Sequence, residues 1–182
     1  MLILGIIASS ITGNLVTTSY ESIATVTVGG AGTSTFDFTS IPSTYKHLQL
    51  RIICKSSGGS QVSLRFNSDT ASNYSEHQLV GDGSSATAYG GANTLLAPQG
   101  QTATTSNTFG AFIIDILDYG STSKYKTVRG LNGADMNGSG QIGLYSNLWR
   151  STSAITDITV LADSGKSFDQ YSSFALYGIK GS

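Results

Sequence analysis

Two histidines, His47 and His77, are the side chains of this 182-residue sequence whose ordinary pKa lies near neutrality. Nucleophilic hydrolysis would need one of them beside a serine and an acid. Serine is so abundant that a chance neighbour carries no weight, and the sequence holds no Gly-x-Ser-x-Gly elbow. Glycoside hydrolysis would need two carboxylates facing one bond. Glu21 and Glu76 are the only glutamates, and most aspartates fall in segments of turn composition, so no pair stands out. Asp115 is the unusual acid, flanked by Ile113, Ile114, Ile116 and Leu117. If buried it must find a cation such as Arg51, Arg65 or Arg129, which points to a structural ion pair or a subunit contact rather than to catalysis. The chain is therefore expected not to be an enzyme, and no catalytic residue is assigned.

Three short motifs invite a ligand and have simpler explanations. Asp135-Met136-Asn137-Gly138-Ser139-Gly140 opens like a calcium loop, but position twelve is Ser146 where a bidentate carboxylate is needed, so a turn between strands is expected. Asn67, Asp69 and Asn73 make a poorer oxygen-rich spacing around Ala71 and read as a loop. Gly165-Lys166-Ser167 resembles the end of a phosphate-binding loop, yet the first glycine of that motif falls on Val160 and no helical pattern follows, so it too reads as a turn. Cys54, the single cysteine, shares an apolar face with Leu50 and Ile52 and is expected to be a small core residue. No cofactor or metal site is assigned. Tyr20, Tyr74, Tyr89, Tyr119, Tyr125 and Trp149 have rings that can stack on sugars, although strand-end packing and interfaces use the same residues.

The elements that position these residues are short strands. Leu48, Leu50, Ile52 and Cys54 alternate with His47, Gln49, Arg51 and Lys55. Val62, Leu64 and Phe66 repeat the pattern after Ser56-Ser57-Gly58-Gly59-Ser60, so the two segments read as a hairpin. Further strands are expected near 22–28, 33–38, 74–80, 108–118, 124–129, 141–146, 154–162 and 172–179, each bounded by Gly, Ser, Asn or Asp. The stretch 108–118 is apolar on both faces, and its isoleucines and aromatics favour a central strand over the one helix the chain could hold. Residues 81–107 are almost uncharged, rich in Gly, Ser, Thr and Ala, and read as a long surface excursion. The expected fold is all-β: one antiparallel β-sandwich domain over 1–182, a jelly roll of about ten short strands. Its core should include Leu48, Leu50, Ile52, Val62, Leu64, Phe66, Ile158, Val160, Phe174 and Leu176.

Composition narrows the partners. Ten Lys and Arg against eleven Asp and Glu give a net charge of -1, and the basic residues are scattered, which disfavours nucleic acid and anionic membranes. No apolar run approaches the roughly 20 residues a membrane helix needs. The opening Met1–Ala8 is apolar like a signal segment, but no Lys or Arg precedes Lys46, and it reads as mature structure. Leu2, Ile3, Leu4, Ile6 and Ile7 are too apolar for a solvated tail and lack charges that blunt an exposed strand, so they are expected to form an assembly contact.

Several runs together carry a resemblance: Ile6-Ile7-Ala8-Ser9-Ser10, Ser40-Ile41-Pro42-Ser43-Thr44-Tyr45-Lys46-His47-Leu48-Gln49-Leu50-Arg51, Gly81-Asp82-Gly83-Ser84-Ser85, Ile113-Ile114-Asp115-Ile116-Leu117-Asp118-Tyr119, Lys124-Tyr125-Lys126-Thr127-Val128-Arg129 and Tyr171-Ser172-Ser173-Phe174-Ala175-Leu176-Tyr177-Gly178-Ile179-Lys180-Gly181. From Leu2 to Gly181 the chain resembles small structural proteins of tailed phages that infect cyanobacteria and marine bacteria. The resemblance brings no catalytic residues. It implies a virion location, a capsid decoration (cement) protein that forms a homotrimer on the major capsid protein, or alternatively a tail-fibre or baseplate component that binds a host surface glycan. A glycan hydrolase is the third reading and lacks an acid pair.

Overall fold

The alternation read from the sequence places apolar side chains on one face of each strand, and such strands are stable only when two sheets cover each other. A computed structural model describes residues 19–181, and there the chain forms twelve strands and no helix. They are β1 (Tyr20–Thr27), β2 (Thr35–Phe38), β3 (His47–Cys54), β4 (Gln61–Phe66), β5 (Tyr74–Gly81), β6 (Ala86–Thr94), β7 (Ala97–Gln101), β8 (Gly110–Ile116), β9 (Lys126–Asp135), β10 (Gly140–Trp149), β11 (Ile158–Leu161) and β12 (Ser173–Ile179). All pair antiparallel, in an eight-stranded sheet of order β1-β12-β3-β8-β9-β10-β5-β6 and a four-stranded sheet of order β2-β11-β4-β7. The β-sandwich is as expected.

The core lies between the sheets. Leu48, Leu50, Ile52 and Cys54 of β3 and Phe174 and Leu176 of β12 face Val62, Leu64 and Phe66 of β4 and Ile158 and Val160 of β11, and every one of these side chains is buried. Two aromatic clusters fill the corners. Phe168 packs edge-on against Phe174 at 4.9 Å between centroids, and Phe66, Tyr74 and Trp149 form a triangle with centroids 5.6 to 6.4 Å apart. These are geometries in which ring edges and faces attract beyond simple area burial.

Two expectations fail in an instructive way. β3 and β4 are not a hairpin, because they belong to different sheets and face each other across the core. Alternation reports that each strand has a buried face, and this is equally true of neighbours in one sheet and of strands stacked in two. The connecting residues bond elsewhere: the Ser56 amide donates to the Ala103 carbonyl and the Ser57 amide to the Ser167 carbonyl. Residues 81–107 are an excursion only in part, since they contain β6, which is exposed along nearly its whole length, and β7, whose Ala97–Gly100 are buried. Proline, glycine and amide side chains hid β7, yet its place at a sheet edge tolerates Pro98, which has no amide to donate.

The other boundaries shift modestly. The strands expected at 124–129 and 141–146 are longer and meet in a hairpin whose turn spans 136–139. The 108–118 segment is a strand, and its outward Ile113 stays exposed. Residues 1–8, expected to make the assembly contact through Leu2, Ile3, Leu4, Ile6 and Ile7, lie outside the described residues.

Candidate functional site

The four-stranded sheet covers only part of the larger one, and the outer face of the eight-stranded sheet carries two parallel rows of side chains. Because side chains in register line up across a sheet, each row can be read from the pairing. One row is polar: Gln49, Asp115, Arg129, Ser146 and His77 lie opposite one another on β3, β8, β9, β10 and β5. The next row, two residues along each strand, is apolar: Ile113, Leu131, Leu144 and Leu79, ending at Ala88 on β6. Leu131, the least exposed of those four large side chains, still keeps 44% of its surface in solvent. Ile53 and Ile142 extend the apolar surface into the next row, on the side away from the polar one, at 52% and 60%. Exposed aliphatic residues in one contiguous row, rather than scattered singly, are the kind of surface that interaction sites use.

The polar row is tied together by charge-assisted bonds. Gln49 donates to Asp115 Oδ1 at 2.8 Å, and Arg129 donates to Asp115 Oδ2 at 2.9 Å. Arg51 donates through Nε to Gln49 Oε1 at 2.9 Å, while its guanidinium lies over the rings of Tyr177 and Tyr20 at 5.3 and 5.7 Å. Between the rows, His77, Leu79, Ala88, Gly90, Arg129 and Leu144 line an open depression of about 630 Å³. Its lining is mostly apolar and includes a guanidinium and an imidazole, a combination that suits a ring with polar substituents.

The remaining residues singled out in the sequence hold the scaffold. His47 accepts the Asp118 amide on Nδ1 at 2.9 Å, and Asp118 in turn pairs with Lys46 at 3.0 Å and Lys124 at 2.8 Å. Those lysine contacts hold the Asp118 carboxyl down at about 2. Asp135 accepts the amides of Asn137 and Gly138, the geometry of a turn that consumes its carboxylate locally. Asp69 accepts Trp149 Nε1 at 2.7 Å and the Asn73 side chain at 2.9 Å, and Asn67 bonds the 154–157 backbone, so this group is a loop clasp. Gly165-Lys166-Ser167 is a turn closed by the Lys166 amide on Asp163 O.

Cys54 is buried and free, and desolvation pushes its thiol far up, away from reactivity. Tyr74, Tyr119 and Trp149 are core residues, whereas Tyr20, Tyr89 and Tyr125 are exposed. Among the described residues no three His, Cys, Asp or Glu side chains gather closely enough to hold an ion.

Sequence reading missed a polar seam under β7. Gln99, Asn132 and Asn147 are buried there, with Asn147 donating to Pro98 O at 2.9 Å and Asn132 to Gln101 O at 3.3 Å. Glycines make room for it: a Cβ on Gly130 would stand 2.3 Å from Gln99 Oε1. Amides at inward strand positions, beside glycines, are the signal that would have found it. Glu76 borders this zone, and burial raises its carboxyl. No protein-family model matches the chain, and no curated protein or solved structure matches it.

Proposed function

We propose that the chain is a structural component of a tailed-phage virion, a capsid decoration protein that forms a homotrimer and seats on the major capsid protein of the head. The observation that carries this reading is the pairing of β1 with β12, β2 with β11, β3 with β8 and β4 with β7. We read these four nested antiparallel pairs as the pairing of a jelly roll, the arrangement of two Greek keys on which viral capsid and lectin domains are built. β5–β6 and β9–β10 are then hairpins inserted into the roll, both added beyond β8 to widen one sheet. The widening creates the apolar outer row, a surface suited to lasting contact with protein. The scarcity of charge, 12% of residues, fits a chain packed in many copies, and the end-to-end resemblance supports the phage origin.

The experiment is a comparison of density maps of particles assembled with and without this gene. Extra density on the head faces of the intact particle is the expected result, and heads of identical appearance would overturn the reading. A second reading, a tail-fibre or baseplate component that binds a host glycan, is favoured by the depression beside Arg129, His77 and Leu79. It predicts the extra density at the tail.

A further inference from the structure

We propose that the edge of β6, unpaired among the described residues, is the acceptor for the segment Leu2–Ile7 of a neighbouring copy, which adds to the eight-stranded sheet as a ninth strand. The inference rests on the self-assembling reading above and names the surface through which copies join.

The four outermost strands of the two sheets differ in how their edges are protected. β1 carries Glu21, paired with Lys180; β2 carries Asp37, bonded to Thr159 at 2.6 Å; β7 carries Pro98. Charge and proline on an edge are the usual guards against an added strand. β6, Ala-Thr-Ala-Tyr-Gly-Gly-Ala-Asn-Thr, has neither in nine residues, and its one irregularity is a bulge at Asn93, near the end of the strand and away from Ala88. It pairs only with β5 among the described strands and is exposed on both faces. Gly90 and Gly91 at its centre lie against His77 and Glu76 of β5, where a Cβ would stand 3.0 and 3.2 Å away, and they present no side chain to screen the edge. The apolar row Ile113, Leu131, Leu144 and Leu79 runs toward this edge and ends on Ala88, so that an added strand would continue it with its own side chain.

Leu2–Ile7 has the chemistry to fill that place, being uncharged and rich in β-branched and aliphatic residues. Main-chain bonds to an open edge then supply affinity, and alternate side chains supply fit. Reach favours a neighbouring copy over the same chain. β1, where the segment's chain enters the sheet, and β6 are the opposite edges. A place beyond β6 is eight spacings from β1, about 38 Å at about 4.8 Å each, before any offset along the strands or path over the twisted face. Residues 8–19 span at most about 40–43 Å when fully extended at about 3.3–3.6 Å each, so the same chain would reach only as a taut line with almost nothing left for that offset. A neighbour whose β1 edge lies beside β6 needs a fraction of that length. Such a contact is head-to-tail, and it closes into a ring when the rotation allows.

Complementation of two variants of the purified chain tests this without any phage particle. One lacks residues 1–8 and keeps the acceptor edge; the other, Ala88→Lys with Ala92→Lys, keeps the segment and guards the edge at two exposed positions. Each alone should sediment as a single chain, and an equimolar mixture should form a one-to-one pair, with amide exchange at 86–94 slowed only in the tail-less partner. Assembly of either variant alone, or a mixture that stays as single chains, would overturn the inference. Because no virion is involved, a pair that forms while the gene product is absent from particles would reject the virion reading and leave the strand exchange intact.

Discussion

Asp115 is held from two sides, by Gln49 of β3 and by Arg129 of β9, so that one carboxylate bridges three adjacent strands on the outer face. The Arg129 side chain is 66% exposed, which limits the worth of its ion pair to roughly 0–1 kcal/mol. Gln49 is buried and has more to lose. Asp115→Ala should therefore cost about 1–2 kcal/mol in chemical denaturation, mainly from the orphaned Gln49, whereas Arg129→Gln should cost under about 1 kcal/mol. An Arg129 effect as large as that of Asp115 would contradict this division.

Acid should loosen the 118 corner. A carboxyl held at about 2 in the folded chain and near 3.9 when unfolded stabilises the fold above about pH 4, and that contribution is lost as pH falls toward 2. Asp118 is partly exposed, so salt screens the effect. Asp118→Asn should flatten the pH dependence of the unfolding midpoint between pH 4 and 2, and the difference from the parent should shrink at high salt.

The hairpin joining β9 and β10 needs a glycine at position 140. At Gly140, with φ of +136°, a Cβ would stand 2.0 Å from the Ala134 carbonyl oxygen, which is backbone and cannot swing aside. Gly140→Ala should lower stability by more than about 1 kcal/mol, while Gly83→Ala, where a Cβ meets open space, should pay only for its positive φ of +91°. Equal costs at the two positions would refute the close approach as the cause.

The thiol of Cys54 is sealed in the core, after Leu50 and Ile52 on the inward face of β3. Alkylation by a water-soluble reagent at neutral pH should proceed only as fast as the chain unfolds, and adding denaturant below the midpoint should accelerate it. Rapid modification of the native chain would show that the sheets open locally around β3.

How far the sequence was legible follows from what a period of two can report. Leu48, Leu50, Ile52, Val62, Leu64 and Phe66 announced their burial, because alternation records the face of a strand. It does not record the sheet, and β3 and β4 were read as a hairpin for that reason. Pro98, Gln99 and Gly100 concealed β7, since their burial depends on Asn132 and Asn147 across the seam, residues more than thirty positions away. Asp115 was legible as a paired acid because a carboxylate among isoleucines has few alternatives, although the choice of Arg129 over Arg51 required the register of β8 on β9. The exposed apolar row was illegible, since Ile113, Leu131, Leu144 and Leu79 look like core residues until their neighbours are known.

The central claim is that this chain is built into a virion, and the copy number of the chain in purified particles tests it most directly. Quantitative mass spectrometry against the major capsid protein should find the chain in every particle at hundreds of copies, in a fixed ratio to the capsid subunit. Copies in small multiples of three would move it to the tail, and particles free of the chain, with all of it in the host lysate, would contradict the account.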